Sequence, residues 1–142
     1  MLHADETTLQ VMREPGKSAQ SKSYMWLYRT GGDAEHPILL YEYSPNRKPK
    51  NAEVFLEGFT GWLHADGYTG YHSLPERIRV VGCWAHARRK FDEAVKSLPK
   101  GEQAGCAALE GPRYCNALFT LEKELAGWTV EEGYKPRAEQ AR

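Results

Sequence analysis

The chain has 142 residues, of which 41% are hydrophobic and 27% are charged, and 19 Lys and Arg balance 19 Asp and Glu to give a formal net charge of zero. This composition is typical of a globular protein with room for a core of its own. It excludes a surface that is basic all over, so any nucleic-acid binding must come from local basic patches or from other parts of a longer protein.

The first half of the chain is rich in extended segments separated by turn residues. Pro15 and Gly16 mark one break, and Gly31-Gly32-Asp33 marks a hairpin. The second and third segments are nearly continuous apolar runs, which predicts that both faces of their sheet are covered. The predicted strands are 2–11, 24–29, 38–43, 62–66 and 77–82.

Helical spacing of apolar residues predicts three helices among and after these strands. Asn51 is a suitable cap for the first helix, which Gly58 and Gly61 would end. The other two helices are amphipathic and cover 85–98 and 112–128. Between them 100–111 is predicted to be a connector, and the polar segment 130–142 is interpreted as a frayed end.

The order of these elements is three strands, a helix, a strand, a short segment, a strand and then helices. Antiparallel strands that lead into helix-crossed parallel ones predict an α/β fold with a mixed five-stranded sheet flanked by helices. This is the order of the ribonuclease H-like fold, in which the first and fourth strands are neighbours. We expect a core over 1–98 and the start of a helical region over 99–142.

The tetrapeptide LHAD occurs twice, at 2–5 and at 63–66. Residues two apart on a strand share a face, so His3 points with Asp5 and His64 points with Asp66. If the two strands are neighbours, the two carboxylates meet at one end of the sheet. Carboxylate oxygens are the ligands that Mg²⁺ prefers. Glu6 points to the opposite face and is interpreted either as structural or as acting on the site only through a metal ligand.

Four longer stretches carry a family resemblance. They are ADET at 4–7, YMWLY at 24–28, DGYTGY at 66–71 and GCWAHARRKFDEA at 82–94. Together they resemble the catalytic region of a bacterial transposase of the insertion sequence 66 family, over residues 1 to about 125 of this chain. The resemblance implies an Asp-Asp-Glu enzyme that uses Mg²⁺ or Mn²⁺ to cut and join DNA strands.

The same resemblance implies that Asp5 and Asp66 are the first two catalytic and metal-binding acids. The family's third acid is a glutamate in an Asn-x-x-Glu pattern, and no such pattern follows Asp66. The family's N-terminal DNA-binding and zinc-binding regions are also missing. We therefore expect a fragment that is inactive alone and whose partners are DNA (transposon ends and target), the remainder of the transposase and, as an open option, a second copy.

Glu93 offers an alternative third metal ligand. It lies on the first helix after the fifth strand, where compact members of this fold class place their third acid. A self-sufficient ribonuclease H-like nuclease using Glu93 is therefore one rival interpretation, and a solvated helix face formed by Asp92 and Glu93 is the simpler one. A non-catalytic transposase remnant that binds DNA without metal is a third.

Basic and aromatic residues near these segments suggest contacts to DNA. Contacts of basic side chains to the phosphate backbone set affinity and register rather than sequence choice. Tyr68 and Tyr71 flank the Asp66 turn and either order it by packing or stack on a displaced base. The candidate residues for binding the DNA phosphate backbone are Arg88, Arg89, Lys90, Arg47, Lys48 and Lys50.

Histidines and cysteines leave a zinc site open as a further alternative. A structural zinc site needs four ligands, usually in two close pairs, but Cys106 and Cys115 are nine positions apart. An odd number of irregularly spaced cysteines favours a reduced, cytoplasmic protein. No apolar run approaches the roughly 18 residues of a membrane span. The other candidate ligands are His3, His64, His72, Cys83 and His86.

Overall fold

The computed structural model describes residues 1–32 and 34–140, without the side chain of Gln140. Asp33 of the predicted hairpin turn and the last two residues of the predicted frayed end therefore lie outside the described residues. The chain divides into two compact units, of which the first is Met1–Cys83 and the second begins at Trp84. The predicted functional division after residue 98 stays a prediction.

The first unit is built on one mixed five-stranded sheet. Its strands are β1 (Leu2–Gln10), β2 (Lys22–Thr30), β3 (Leu39–Ser44), β4 (Gly61–Ala65) and β5 (Ile78–Gly82). They lie in the order β3-β2-β1-β4-β5. β2 is antiparallel to both of its neighbours, β1 and β3, whereas β4 is parallel to both β1 and β5. The predicted class, a mixed five-stranded α/β sheet with the first and fourth strands adjacent, is confirmed.

One face of this sheet forms the core of the first unit. Strand alternation places Ala4, Trp26 and Tyr28 on that face, and each is at most 4% exposed. A helix, α1 (Pro49–Phe55), contributes Phe55, whose ring stacks on Tyr28 with 3.7 Å between the ring centroids. The buried core is completed by Ala52, Leu56, Leu63, Ala65, Tyr71 and Ile78.

The start of α1 differs from the prediction. The helix begins at Pro49, and Lys48 occupies the capping position without a side-chain hydrogen bond. Proline suits the first helical position because its φ is already helical and its missing N–H would have no partner there. The predicted cap, Asn51, lies inside the helix, where its amide donates to the carbonyl oxygen of Asn46 at 2.9 Å.

The prediction that both faces of β3 are covered is wrong for the described chain. β3 is the edge of the sheet, so it has only one neighbouring strand. Its residues Leu39, Leu40 and Tyr41 are all about half exposed or more, at 50%, 49% and 63%. The apolar side chains of β3 are therefore exposed at the edge of the sheet, a kind of surface that proteins generally shield.

The second unit consists of helices. They are α2 (Trp84–Lys96), α3 (Lys100–Gln103), α4 (Glu110–Glu124) and α5 (Val130–Gln140), with a 3₁₀ turn at Ala107–Leu109. The predicted connector over 100–111 is thus partly helical. α2 buries none of its own residues completely, while α4 buries Cys115 and Leu121. In the described part of the chain no helix has both the length and the apolar character needed to span a bilayer.

The interpretation of the C-terminal segment as a frayed end is wrong as far as Gln140, because α5 is helical. Thr129 and Glu132 form a capping box at its start. The Thr129 N–H donates to Glu132 Oε2 at 2.8 Å, and the Glu132 N–H donates to Thr129 Oγ1 at 3.3 Å. This Thr-x-x-Glu signal stands in the sequence and compensates for the polar composition that suggested fraying.

Cys83, Cys106 and Cys115 are free thiols.

In the second unit Gly111 is required by packing, since a Cβ built there would lie 2.2 Å from the ring of Phe91. Glycine at this position allows α2 and α4 to approach closely.

Candidate active site

The two LHAD segments lie side by side in the sheet. β1 and β4 are parallel, with Leu2 paired to Leu63 and His3 paired to His64. The repeat is therefore aligned residue for residue across the two strands. The two aspartates follow these pairs by two positions, with Asp5 inside β1 and Asp66 directly after β4.

Asp66 begins a tight turn directly after β4. Its Oδ1 accepts a hydrogen bond from the backbone N–H of Tyr68 at 2.9 Å, the pattern of an Asx turn. The chain then enters a 3₁₀ helix at Thr69–Ser73. Gly70 permits this path, because a Cβ there would lie 2.2 Å from the Tyr68 ring.

The tyrosines of this turn, Tyr68 and Tyr71, pack against neighbouring aromatic rings. Tyr71 is 1% exposed, and its ring meets Trp26 edge-on at 6.2 Å between centroids. The rings of Tyr68 and Tyr71 are 5.6 Å apart in the same edge-on manner. The interpretation that Tyr68 and Tyr71 order the turn by packing is confirmed.

Asp5 has a different environment. Its Oδ1 accepts a hydrogen bond from the N–H of Glu6 at 2.9 Å. Asp5 also lines a small depression of about 110 Å³ with Met25, Leu27 and Tyr41. Tyr41 is exposed, so the depression opens to solvent.

Glu6 is the buried acid of the site. Its side chain is 0% exposed. Arg47 donates to Glu6 Oε1 through Nε at 2.8 Å and also through Nη2, and the Tyr71 hydroxyl donates to Oε2 at 2.7 Å. Burial raises the pKa of Glu6, although the hydrogen bonds from Tyr71 and Arg47 oppose this effect. Burial and the bond to Glu6 also raise the pKa of the Tyr71 hydroxyl.

Arg47 connects Glu6 with the Asp66 turn. Its Nη2 lies 3.9 Å from Asp66 Oδ2. Its guanidinium carbon lies 3.9 Å from the centre of the Tyr68 ring, and the Tyr68 hydroxyl donates to its carbonyl oxygen. Sequence reasoning missed this cluster. The sequence signal for this cluster is Glu6, which lies two residues after the buried Ala4 and therefore shares its face of β1. A carboxylate on a buried face needs a partner in the core.

His3 and His64 contact each other, with 3.0 Å between their Nδ1 atoms. His64 Nε2 also lies 2.8 Å from the carbonyl oxygen of Gly82 on β5. The two histidines therefore link three neighbouring strands two residues before the aspartates.

A metal ion in a protein is usually held by several His, Cys, Asp or Glu side chains. Within residues 1–32 and 34–140 no set of three or more His, Cys, Asp or Glu side chains is arranged to do so. Asp5 and Asp66 each offer a carboxylate, the donor type that fits Mg²⁺ or Mn²⁺. Asp5 lines the depression with Met25, Leu27 and Tyr41, whereas Asp66 Oδ2 lies 3.9 Å from Arg47. Their joint role as metal ligands stays a prediction. No zinc site is present among the described residues.

Glu93 belongs to the second unit. Its carboxylate accepts a hydrogen bond from Lys90 Nζ at 2.9 Å, and its side chain is 54% exposed. The Lys90 ammonium lowers the pKa of Glu93. A role for Glu93 as a third metal ligand stays a prediction.

The basic residues predicted to bind DNA fall in both units. In the first unit Lys50 is exposed and pairs with Glu53 at 3.3 Å. In the second unit Arg88 contacts Asp92 at 3.1 Å and Asn116 at 2.7 Å. Such exposed pairs are weak and can be exchanged for phosphate contacts. Their role in DNA binding, and that of Arg47, Lys48, Arg89 and Lys90, stays a prediction.

Comparison with known protein sequences finds similar proteins, whereas comparison with solved structures finds none. No solved structure matches the chain. Three similar proteins of Sinorhizobium fredii (strain NBRC 101917 / NGR234) are described as uncharacterized. The protein y4qI is 37% identical over 138 residues, which cover 87% of this chain and 24% of the relative. The protein y4jD is 30% identical over 146 residues, which cover 94% of this chain and 27% of the relative. The protein y4hP is 28% identical over 155 residues, which cover 99% of this chain and 28% of the relative.

The chain spans about a quarter of the length of these relatives. The family model described as "Transposase IS66 family" matches residues 1–142. Because this match extends over the whole sequence, the chain belongs to the transposase IS66 family.

Proposed function

We propose that the chain is the catalytic-core segment of a DNA transposase, in which Asp5 and Asp66 hold a divalent metal ion for DNA strand cleavage and strand transfer. The observation that carries this proposal is the aligned pairing of the two LHAD segments, in which His3 pairs with His64 on adjacent parallel strands two residues before the two aspartates. The strand order β3-β2-β1-β4-β5 supports a ribonuclease H-like fold for this core. Membership of the transposase IS66 family supports the activity.

Each residue of the proposed site has a distinct part in this chemistry. Mg²⁺ or Mn²⁺, when bound, activates the attacking water or 3′-hydroxyl and stabilises charge on the phosphate. Asp5 and Asp66 would hold the cation through carboxylate oxygens. The N–H groups of Glu6 and Tyr68 fix one oxygen of each carboxylate and so limit the rotation of both side chains.

The proposed site needs partners. Two carboxylates leave the third acid of an Asp-Asp-Glu set to be supplied by the remainder of the transposase, so we expect this chain alone to be inactive. The DNA partners are transposon ends and target DNA, bound through the exposed basic residues Lys48, Lys50, Arg88, Arg89 and Lys90. A second copy of the protein and a cytoplasmic location are parts of the same proposal.

The rival function, a self-sufficient nuclease that uses Glu93, has less support. The exposure of Glu93 and its pairing with Lys90 favour a solvated helix face. A non-catalytic remnant would bind DNA equally well with and without metal. Gel-shift titrations with transposon-end DNA in Mn²⁺ and in EDTA separate that possibility from the proposal.

Electron paramagnetic resonance titration of free Mn²⁺ tests the proposed site. The wild-type chain is compared with Asp5→Asn and Asp66→Asn, and Asp92→Asn is the matched control because Asp92 is an acid on the surface of α2. We expect weak binding by the wild type and a loss of at least about tenfold in affinity for the two LHAD variants. The proposal fails if both LHAD variants bind Mn²⁺ as the wild type does, or if Asp92→Asn causes the same loss.

A further inference from the structure

We propose that Arg47 is a positioning residue that holds the Asp66 turn against β1 through the buried Glu6. This inference deepens the proposed function and rests on it, since Asp66 is one of the two proposed metal ligands. It assigns to Arg47 a task inside the site rather than a contact with the DNA backbone.

The first part of the argument is the binding of Arg47 to Glu6. The Glu6 side chain is fully buried and both of its oxygens are occupied, Oε1 by Arg47 and Oε2 by Tyr71. A buried carboxylate needs such a partner, because an unpaired charge in the interior is strongly unfavourable. Arg47 is therefore held in place from the side of β1.

The second part is the contact of the same guanidinium with the Asp66 turn. Nη2 of Arg47 is 3.9 Å from Asp66 Oδ2, and the guanidinium lies over the Tyr68 ring. The Tyr68 hydroxyl in turn donates to the Arg47 carbonyl oxygen. Three contacts thus join one arginine to the three-residue stretch that begins at Asp66.

The separation of 3.9 Å is significant for the role. It is too long for a hydrogen bond, so Arg47 attracts Asp66 Oδ2 without occupying its lone pairs. The other oxygen, Oδ1, is fixed by the Tyr68 N–H. The arrangement orients the carboxylate and leaves Oδ2 able to bind a cation.

The side-chain chemistry also requires arginine. A planar guanidinium can donate to a carboxylate at its edge while its face lies on an aromatic ring, which an ammonium group cannot do in the same way. The nitrogens that bind Glu6 are not available to a phosphate. This geometry explains why Arg47, whose side chain is 39% exposed, directs two of its guanidinium nitrogens to the buried Glu6.

The competing explanation is that Arg47 only neutralises Glu6. The double variant Glu6→Gln/Arg47→Met separates the two, because it removes both charges and leaves no unpaired buried ion. Arg47→Met alone is included, but it leaves Glu6 unpaired and can unfold the chain. Lys22→Met is the matched control, since it removes one positive charge from an exposed position of β2.

The first measurement needs no metal and is amide hydrogen exchange by NMR. If Arg47 positions the turn, the Tyr68 amide, which donates to Asp66 Oδ1, exchanges at least about tenfold faster in the double variant. The amide of Ala4 in β1 and all amides of Lys22→Met keep their wild-type rates. Wild-type protection of the Tyr68 amide in the double variant would overturn the inference.

The second measurement is the Mn²⁺ affinity of the same variants. We expect the double variant to bind about tenfold more weakly than the wild type, as is usual when a group that orients a ligand is lost. Affinity equal to or above that of the wild type would show that Arg47 merely neutralises Glu6. If the wild type shows no Asp66-dependent binding, the proposed function fails, while the exchange rate of the Tyr68 amide still decides the role of Arg47.

Discussion

The imidazole rings of His3 and His64 meet across β1 and β4, with 3.0 Å between their Nδ1 atoms and 4.7 Å between their centroids. His64 Nε2 faces the carbonyl oxygen of Gly82, which can only accept a hydrogen bond. His64 Nε2 must therefore donate to Gly82. In the neutral ring His64 Nδ1 then accepts the N–H that His3 donates from its own Nδ1.

This contact predicts the tautomers of both rings. At about pH 9, where ordinary imidazoles are neutral, we expect His64 to be protonated at Nε2 and His3 at Nδ1. Two-dimensional ¹⁵N NMR of the ring nitrogens measures this directly, with the exposed His36 as the reference for an unconstrained ring. A proton on His64 Nδ1 at that pH would contradict the arrangement.

Trp26 is predicted to be the most costly core residue to truncate. It is 0% exposed and its ring contacts Tyr28 and Tyr71. Trp26→Ala should lower the free energy of unfolding by about 3–5 kcal/mol, since a buried indole leaves a large cavity. Urea unfolding followed by circular dichroism measures the loss. Trp62→Ala is the control, because Trp62 is 48% exposed, and equal losses for the two variants would contradict the assigned core.

The strands and the faces their residues share could be predicted from the sequence because both depend on short-range patterns. Alternation along a strand fixes which residues share a face, and the repeated tetrapeptide fixes a register once its two strands are neighbours. The capping box at Thr129 and Glu132 was equally local. The polar composition of 130–142, which indicates a frayed end, outweighs this single local pattern in a prediction from sequence alone.

The Glu6–Arg47–Tyr71 cluster could not be predicted in the same way. Its members come from a strand, a turn and a 3₁₀ helix, and no period or spacing connects positions that far apart. The alternation of β1 places Glu6 on the core face, but only the tertiary structure shows which cation neutralises it. Arg47 was assigned to DNA because a basic turn is normally solvated.

Glu42 is predicted to make stability depend on pH. Its Oε2 is buried and has no hydrogen-bond partner within the described residues, and burial raises its pKa above the ordinary value of 4.5. A raised pKa means that the folded chain holds the proton more tightly than the unfolded chain does. The resulting stabilisation is complete below the unfolded pKa and is lost as the pH rises through the folded pKa.

Glu42→Gln should therefore stabilise the chain at neutral pH and have little effect in acid. We expect a gain in the free energy of unfolding of about 1 kcal/mol at neutral pH, the cost of one unsatisfied buried group. Thermal unfolding across this pH range measures the gain, with Glu57→Gln at an exposed position as the control. A gain that persists unchanged in acid would refute the assignment to ionised Glu42.

In the second unit, Arg137 and Glu122 form a two-point ion pair between α5 and α4. Arg137 Nε is 2.7 Å from Glu122 Oε1, and Nη2 is 2.9 Å from Oε2. The hydrogen bonds from Arg137 lower the pKa of Glu122. The stabilisation from a lowered pKa is present above the unfolded pKa and is lost as the pH falls. Since both side chains are substantially exposed, a double-mutant cycle with Arg137→Gln and Glu122→Gln should give only a small favourable coupling at neutral pH.

That coupling should disappear in acid and decrease in high salt, because both conditions weaken an exposed ion pair. Chemical unfolding of the four chains of the cycle at two pH values and two salt concentrations measures it. A coupling that is unchanged in acid would mean that packing of the two side chains, rather than their charges, links α4 to α5.

Glu93→Gln is predicted to leave Mn²⁺ binding unchanged. The carboxylate is more than half exposed and accepts a hydrogen bond from Lys90 three residues earlier on the same helix, so its charge is already satisfied by a local partner. Electron paramagnetic resonance titration compares this variant with Asp66→Asn under identical conditions. The expected pattern is wild-type affinity for Glu93→Gln and a clear loss for Asp66→Asn. A large loss for both variants would instead show that Glu93 and Asp66 bind one cation, which would favour a self-sufficient nuclease over a segment that depends on the rest of a transposase for its third acid.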